Sequence, residues 1–266
     1  MNLINRVFRC FGRRLAEYLT EPLESYQIFD LLDEQTLLSC LKPGDILLVE
    51  GNSRISTAIK YLTQSTWSHA CIYLGDDAQK PLVEADLIEG IIRIPLSKYI
   101  DRNTRICRPV GLKDQDLDAL TAFVLERMGH TYDLKNIFDL LRYLIQKPPV
   151  PDRYRRSLIE FGSGDPTKAI CSTLIAQAFQ HIRYPILPRE VSIYTGRYGS
   201  ETDERMLEAR HHSHFTPRDF DLSPYFAVVK PTLEGGFDYS RIRWLDESRH
   251  IINDPDQGSF CNDKTP

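Results

Sequence analysis

Apolar and polar positions change period along this chain, and each change predicts an element. In the first stretch Leu3, Ile4, Val7, Phe8, Phe11 and Leu15 recur at helical spacing, with Arg6, Arg9, Arg13 and Arg14 among them. Such a basic amphipathic helix either lies on an anionic membrane surface or docks on its own domain, its arginine stems covering apolar surface. Residues 1–41 are therefore read as an N-terminal helical appendage, with peripheral membrane contact assigned to residues 1–19. From Leu41 the pattern shifts. LKPGDILLVEG reads as a turn and a short buried strand. ISTAIKYLTQST is helical in period. WSHACIYLG alternates, sending His69, Cys71 and Tyr73 one way and Ala70, Ile72 and Leu74 the other. PLVEADLI and GIIRIPL are two more strands joined tightly through Glu89 and Gly90. With TRICRPV, these runs predict an antiparallel meander.

The second half turns helical. DQDLDALTAFVLERMG carries Leu117, Leu120, Phe123, Val124 and Met128 at helical spacing, with acidic residues in its first turn, where the helix dipole favours them. LKNIFDLLRYLI predicts another helix, ended by the paired prolines of KPPVP. AICSTLIAQAF opens a third, with Leu174, Ile175, Ala178 and Ile182 on one stripe. Residues 183–216 are polar with little periodicity and read as a long insertion, suited to a lid. SPYFAVVKP supplies a late strand. Residues 42–232 make the main domain and 233–266 a polar tail.

Composition changes this picture little. The 266 residues are 42% hydrophobic and 26% charged, with a net charge of -4, which describes an ordinary globular chain. A nucleic-acid binder would need a basic face, so none is expected as a partner. No run approaches the ~18 apolar residues of a membrane span, and no signal-peptide core stands at the N-terminus. The expected location is the cytoplasm. Six cysteines (10, 40, 71, 107, 171 and 261) are scattered without a CxxC pair. They read as reduced thiols, with neither metal nor cofactor expected.

Candidate chemistry gathers on few residues. Cys171 lies on the apolar stripe of its helix, as a core filler would. It also sits in the first turn, where unpaired N–H groups lower a thiol pKa. A nucleophilic thiol needs a base. His181, ten residues along the same helix, lies too far from Cys171 to serve. His211, His212 and His214 form an HHSH cluster in a polar stretch, read as a solvated loop. His69 sits within the alternating WSHACIYLG strand. Glu84 and Asp86 share one face of the next strand, and either can orient its ring.

The succession KPGDILLVEG, WSHACIYLG, VEAD, GHTYDLKNIF, AICSTLIAQAF and FTPRDFDLSPYF resembles the YiiX-like family, the circularly permuted NlpC-type, papain-like cysteine hydrolases. The order His, Glu, Cys is the permuted one. The resemblance covers about Leu41 to Pro231. It implies an α+β fold, an antiparallel half-barrel of about five or six strands packed on a helix bearing the nucleophile. It implies that Cys171 attacks a carbonyl, His69 acts as base and Glu84 orients His69. Tyr132 matches a tyrosine near the family's site, suited to the oxyanion or the substrate cleft, and Asp133 matches a structural acidic neighbour. Many relatives read Cys-Ser-Glu where this chain reads Cys171-Ser172-Thr173.

The function so implied is a cysteine amidase or peptidase with an acyl-thioester intermediate. A thiol acyltransferase or lipid hydrolase of the same fold is the alternative, favoured by the basic N-terminus. A binding module on an inactive scaffold is the non-enzyme alternative. The substrate is accordingly a peptide, an amide or a lipid acyl group.

Overall fold

A computed structural model describes residues 21, 33–86, 89–130, 170–194 and 203–234, with short pieces at 236, 238, 240, 244–245 and 251–252. Chain contacts define one unit over Met1–Pro231 and a second over Thr232–Pro266.

The first unit is built on an open six-stranded antiparallel sheet. Its strands are β1 (Ile46–Val49), β2 (His69–Tyr73), β3 (Leu82–Asp86), β4 (Gly90–Ile94), β5 (Thr104–Pro109) and β8 (Phe226–Val229). They lie in the order β4-β3-β2-β1-β5-β8. The first four form the expected meander, and β5 returns to the free side of β1. ILLV in β1 is buried at every position because both faces of the sheet are covered. Ile46, Leu48, Ala70, Ile72, Val83 and Ala85 pack on one face with Leu120 and Val124 of α3 (Asp114–Glu126) and Leu174, Ala178 and Phe179 of α4 (Ile170–His181). Leu47, Val49, Cys71, Leu82, Ile106 and Val229 pack on the other with Leu37 and Leu41. The segment read as an appendage thus ends in α1 (Glu34–Cys40), whose Leu37 is built into the second core.

Local chemistry sets the ends of the helices. Asp33 caps α1 through the amide of Thr36 at 2.8 Å. Ser53 caps α2 (Arg54–Thr63), which ends at Gln64 in the left-handed conformation. Asp114 and Asp116 occupy the first turn of α3. Thr216 and Asp219 form a capping box at α5 (Pro217–Leu222), with Pro217 in its first turn.

Within 183–216, expected to lack periodic structure, β6 (Arg189–Tyr194) and β7 (Asp203–Glu208) form an antiparallel hairpin from Arg189↔Glu208 to Tyr194↔Asp203. The HHSH stretch is also ordered, as a 3₁₀ turn over His212–His214. In the second unit, β9 (Trp244–Leu245) pairs with β10 (Ile251–Ile252). The predicted helices over residues 3–15 and LKNIFDLLRYLI lie outside the described residues.

Candidate active site

Cys171 sits in the first turn of α4, and the rest of that helix anchors it. Leu174, Ile175, Ala178 and Phe179 are buried against the sheet. Ser172 is also buried, and its hydroxyl donates to the carbonyl of Phe215 at 2.7 Å. The helix start is thereby pinned to the loop before α5. It packs on β2 and β3, which carry the other two candidates.

β2 and β3 are matched only at Ile72↔Val83 and Tyr73↔Leu82. Beyond those pairs the register no longer continues toward His69, whereas β3 stays matched with β4 to Asp86. The amide of Ala70, on the unmatched part of β2, donates to the Cys171 sulfur.

His69 Nε2 lies 2.8 Å from Glu84 Oε2. Of the two carboxylates left open by sequence, Glu84 is the one hydrogen-bonded to the ring. It reaches His69 diagonally, since continuing the β2–β3 register would set Asp86 opposite. Glu84 is almost fully enclosed, with a side-chain exposure of 1%. Such a buried carboxylate needs partners, and a 3₁₀ turn over Leu96–Tyr99 supplies them. Lys98 Nζ donates to Oε1, and the Tyr99 hydroxyl donates to Oε2. The Cys71 thiol lies 3.6 Å from Oε2. Sequence reading missed Lys98, Tyr99 and Cys71, although the face shared by His69 and Cys71 pointed to the last.

The electrostatics follow from these contacts. Burial would raise the Glu84 carboxyl, but the bond to His69 and the charges of His69 and Lys98 outweigh it and hold it well below the usual carboxylate range. Burial likewise opposes ionisation of the Cys171 thiol. The charge of His69, hydrogen bonding to it and the amides of Ala70 and Ser172 overcome this and bring the thiol below its ordinary 9.0. Burial opposes the charge on His69, yet Cys171 raises the ring well above its ordinary 6.5. Cys71 behaves oppositely, with burial pushing its thiol up to about 11. Burial also raises the Tyr99 phenol far above its usual range, so it stays a donor.

The structure therefore brings Cys171, His69 and Glu84 together. Tyr132 and Asp133 lie outside the described residues. His211, His212 and His214 pack beside α4 in their own turn, where His211 Nδ1 meets the Ser213 hydroxyl at 2.8 Å. Among the described residues, the group with donor atoms close enough to share a metal ion is His69, Cys71 and Glu84, all within 4.8 Å of one another.

A family described as "permuted papain-like amidase enzyme, YaeF/YiiX, C92 family" matches residues 40–142. Over those residues the chain is similar to that family. The fold is α+β, with the six-stranded antiparallel sheet left open and packed against helices. The family match contains His69 and Glu84 and stops before α4. The chain is 23% identical over 162 residues to the "probable lipoprotein peptidase YaeF" of Escherichia coli (strain K12), covering 55% of this chain and 58% of that one. It thus spans less than two thirds of that relative's length. A crystal structure titled "metalloprotein yiiX", from Escherichia coli O157:H7, is 15% identical with a TM-score of 0.43, covering 72% of this chain and 97% of that one.

Proposed function

We propose that the protein is a cysteine hydrolase that cleaves an amide bond through a covalent thioester. The carrying observation is the arrangement of Cys171, in the first turn of α4, beside His69, whose Nε2 lies 2.8 Å from Glu84 Oε2; it favours a thiolate–imidazolium pair. The family's description as amidases supports the same reading.

In this scheme the Cys171 thiolate attacks the carbonyl carbon and a C–S bond forms. The N-terminal end of α4 presents its backbone amides to the developing oxyanion. His69 donates its proton to the leaving nitrogen as the C–N bond breaks. Water then enters, and His69 takes a proton from it as the oxygen attacks the thioester. Collapse of that intermediate breaks the C–S bond and returns the thiolate. Glu84 keeps the ring oriented and its charged form favoured throughout. Lys98 and Tyr99 act through Glu84 as positioning residues.

Acid-quenched mass spectrometry of the chain with activated amide and ester acyl donors tests this. The expected result is an acyl mass on the Cys171 peptide that decays in buffer, and none in His69→Ala. Turnover without any acyl-Cys171 in wild type or slow-decay variants, or an adduct unaffected by His69→Ala, would contradict it.

A further inference from the structure

The acyl-transfer scheme makes no use of the N-terminal segment, yet charge is sharply sorted there. Residues 1–14 hold Arg6, Arg9, Arg13 and Arg14 and no acidic residue. From Leu15 to Leu41 the reverse holds: Glu17, Glu21, Glu24, Asp30, Asp33 and Glu34 occur without any lysine or arginine. The chain as a whole carries -4, so the arginine run is not part of a basic protein. Helical spacing sets Leu3, Ile4, Val7, Phe8, Phe11 and Leu15 on one stripe, with Arg6, Arg9 and Arg13 away from it.

The described residues show where this segment joins the fold. Arg54, in the first turn of α2, pairs with Glu21. Ser56 of the same turn and Ser68 flank Gly51, where an added Cβ would lie 2.1 Å from Ser56 Oγ and 2.9 Å from Ser68 Oγ. The Gly51 amide donates to the Ser68 hydroxyl at 2.9 Å, and Ser68 immediately precedes His69. The segment thus meets the fold at the end of the sheet that carries His69. There the outer face of α2 sets Arg54, Thr57 and Tyr61 at helical spacing, with Tyr61 50% exposed. A half-exposed tyrosine beside arginine suits a lipid–water interface. We propose that residues 1–19 bind an anionic lipid surface and hold the His69 end of the sheet against it, so that the amide cleaved belongs to a membrane-bound substrate.

An anionic bilayer attracts the arginine run and repels the acidic stretch behind it. The order of charges therefore sets an orientation, with arginines on the lipid and the acidic stretch on the protein side, where Arg54 neutralises Glu21. The apolar stripe enters the boundary between headgroups and acyl chains. Seven residues separate Arg14 from Glu21, a reach of at most roughly 25 Å. Lipid contact at the arginines accordingly keeps the site close to the bilayer.

The substrate half rests on the hydrolase reading, whereas the binding half does not. Sedimentation of the full chain with vesicles of phosphatidylcholine, alone or mixed with phosphatidylserine, tests binding. Only the mixed vesicles should carry the protein down, and high salt should release it. Each arginine at such a surface strengthens binding about fivefold, so Arg9→Gln with Arg13→Gln should weaken it about 25-fold. A photoactivatable phosphatidylserine, with adducts mapped by mass spectrometry, tests the orientation. Adducts are expected on residues 1–19 and on the α2 stretch from Arg54 to Tyr61. An acyl-amide donor displayed on mixed vesicles should turn over at least about tenfold faster than the same donor in solution, and the double variant should lose that gain. No binding to mixed vesicles, equal binding to neutral ones, or full binding by the double variant would overturn the surface, and the first result would leave the segment docked on its own domain. Adducts on α3 in place of α2 would overturn the orientation, and equal turnover of displayed and soluble donor would overturn the substrate class. Arginine-dependent binding with α2 adducts in a protein that never acylates Cys171 would uphold the surface and sink only the hydrolase reading.

Discussion

Glu84→Gln keeps the shape of the side chain and removes its charge. In the wild type the enclosed carboxylate accepts from His69, Lys98 and Tyr99. The amide can keep its oxygen at the Oε2 position, toward His69 and Tyr99. Its NH₂ then faces the Lys98 ammonium, donor against donor. Breaking a buried ion pair costs about 3–5 kcal/mol, and the partial exposure of Lys98 puts the expectation near the lower end, about 3 kcal/mol. At roughly 2–4 °C per kcal/mol for a domain of this size, the midpoint should fall by about 6–12 °C. Far-UV circular dichroism during heating reads this directly. The same variant loses the charge that favours imidazolium, so Cys171 should alkylate more slowly near neutral pH. In a Ser-His-Asp triad the like change costs about 10⁴ in kcat, which sets the scale for amide turnover. A Gln variant that melts with the wild type and alkylates on the same pH curve would refute both the pairing and the role given to Glu84.

Tyr99→Phe removes one donor to a charged acceptor and should cost about 1.5–3 kcal/mol by denaturant titration, while Glu84 keeps its bonds to His69 and Lys98. Gly51→Ala would set a Cβ 2.1 Å from Ser56 Oγ and 2.9 Å from Ser68 Oγ, so a loss of about 1–3 kcal/mol is expected in the same assay. Thr173 Oγ1 is buried with no hydrogen-bond partner among the described residues; Thr173→Val should therefore be neutral or stabilising by up to about 1 kcal/mol, and a clear loss would reveal a partner. The depressed carboxyl of Glu84 contributes stability that is present above its ordinary 4.5 and is lost as pH falls toward its lower folded value. Acid titration of the melting midpoint should show that component disappearing in Glu84→Gln.

Much of the sheet was legible because its patterns are local. HACIY alternates, and the structure divides it as read, Ala70 and Ile72 into one core and Cys71 into the other. The unbroken ILLV run was read as a buried strand, and every position is buried because both faces of the sheet are covered. The β6–β7 hairpin was missed because charged residues hide its short alternation, Val191 and Ile193 on one strand among Arg189, Glu190 and Ser192. In the site, the Cys171 stripe and the His69 face came from periodicity. The choice between Glu84 and Asp86 did not, because it depends on where the matched pairing of β2 and β3 ends, a tertiary feature. Lys98 and Tyr99 follow β4 in a short 3₁₀ turn with no motif of its own, and only folding brings them to Glu84.

The central claim is that His69 makes Cys171 a thiolate. The rate of Cys171 alkylation by iodoacetamide against pH, read by mass spectrometry in wild type and His69→Ala, tests it most directly. The account predicts that wild-type Cys171 reacts ahead of the buried Cys71 and Cys107, with a midpoint below 9.0 that moves up in the variant. A Cys171 that is inert across the range, or that titrates identically with and without His69, would contradict it.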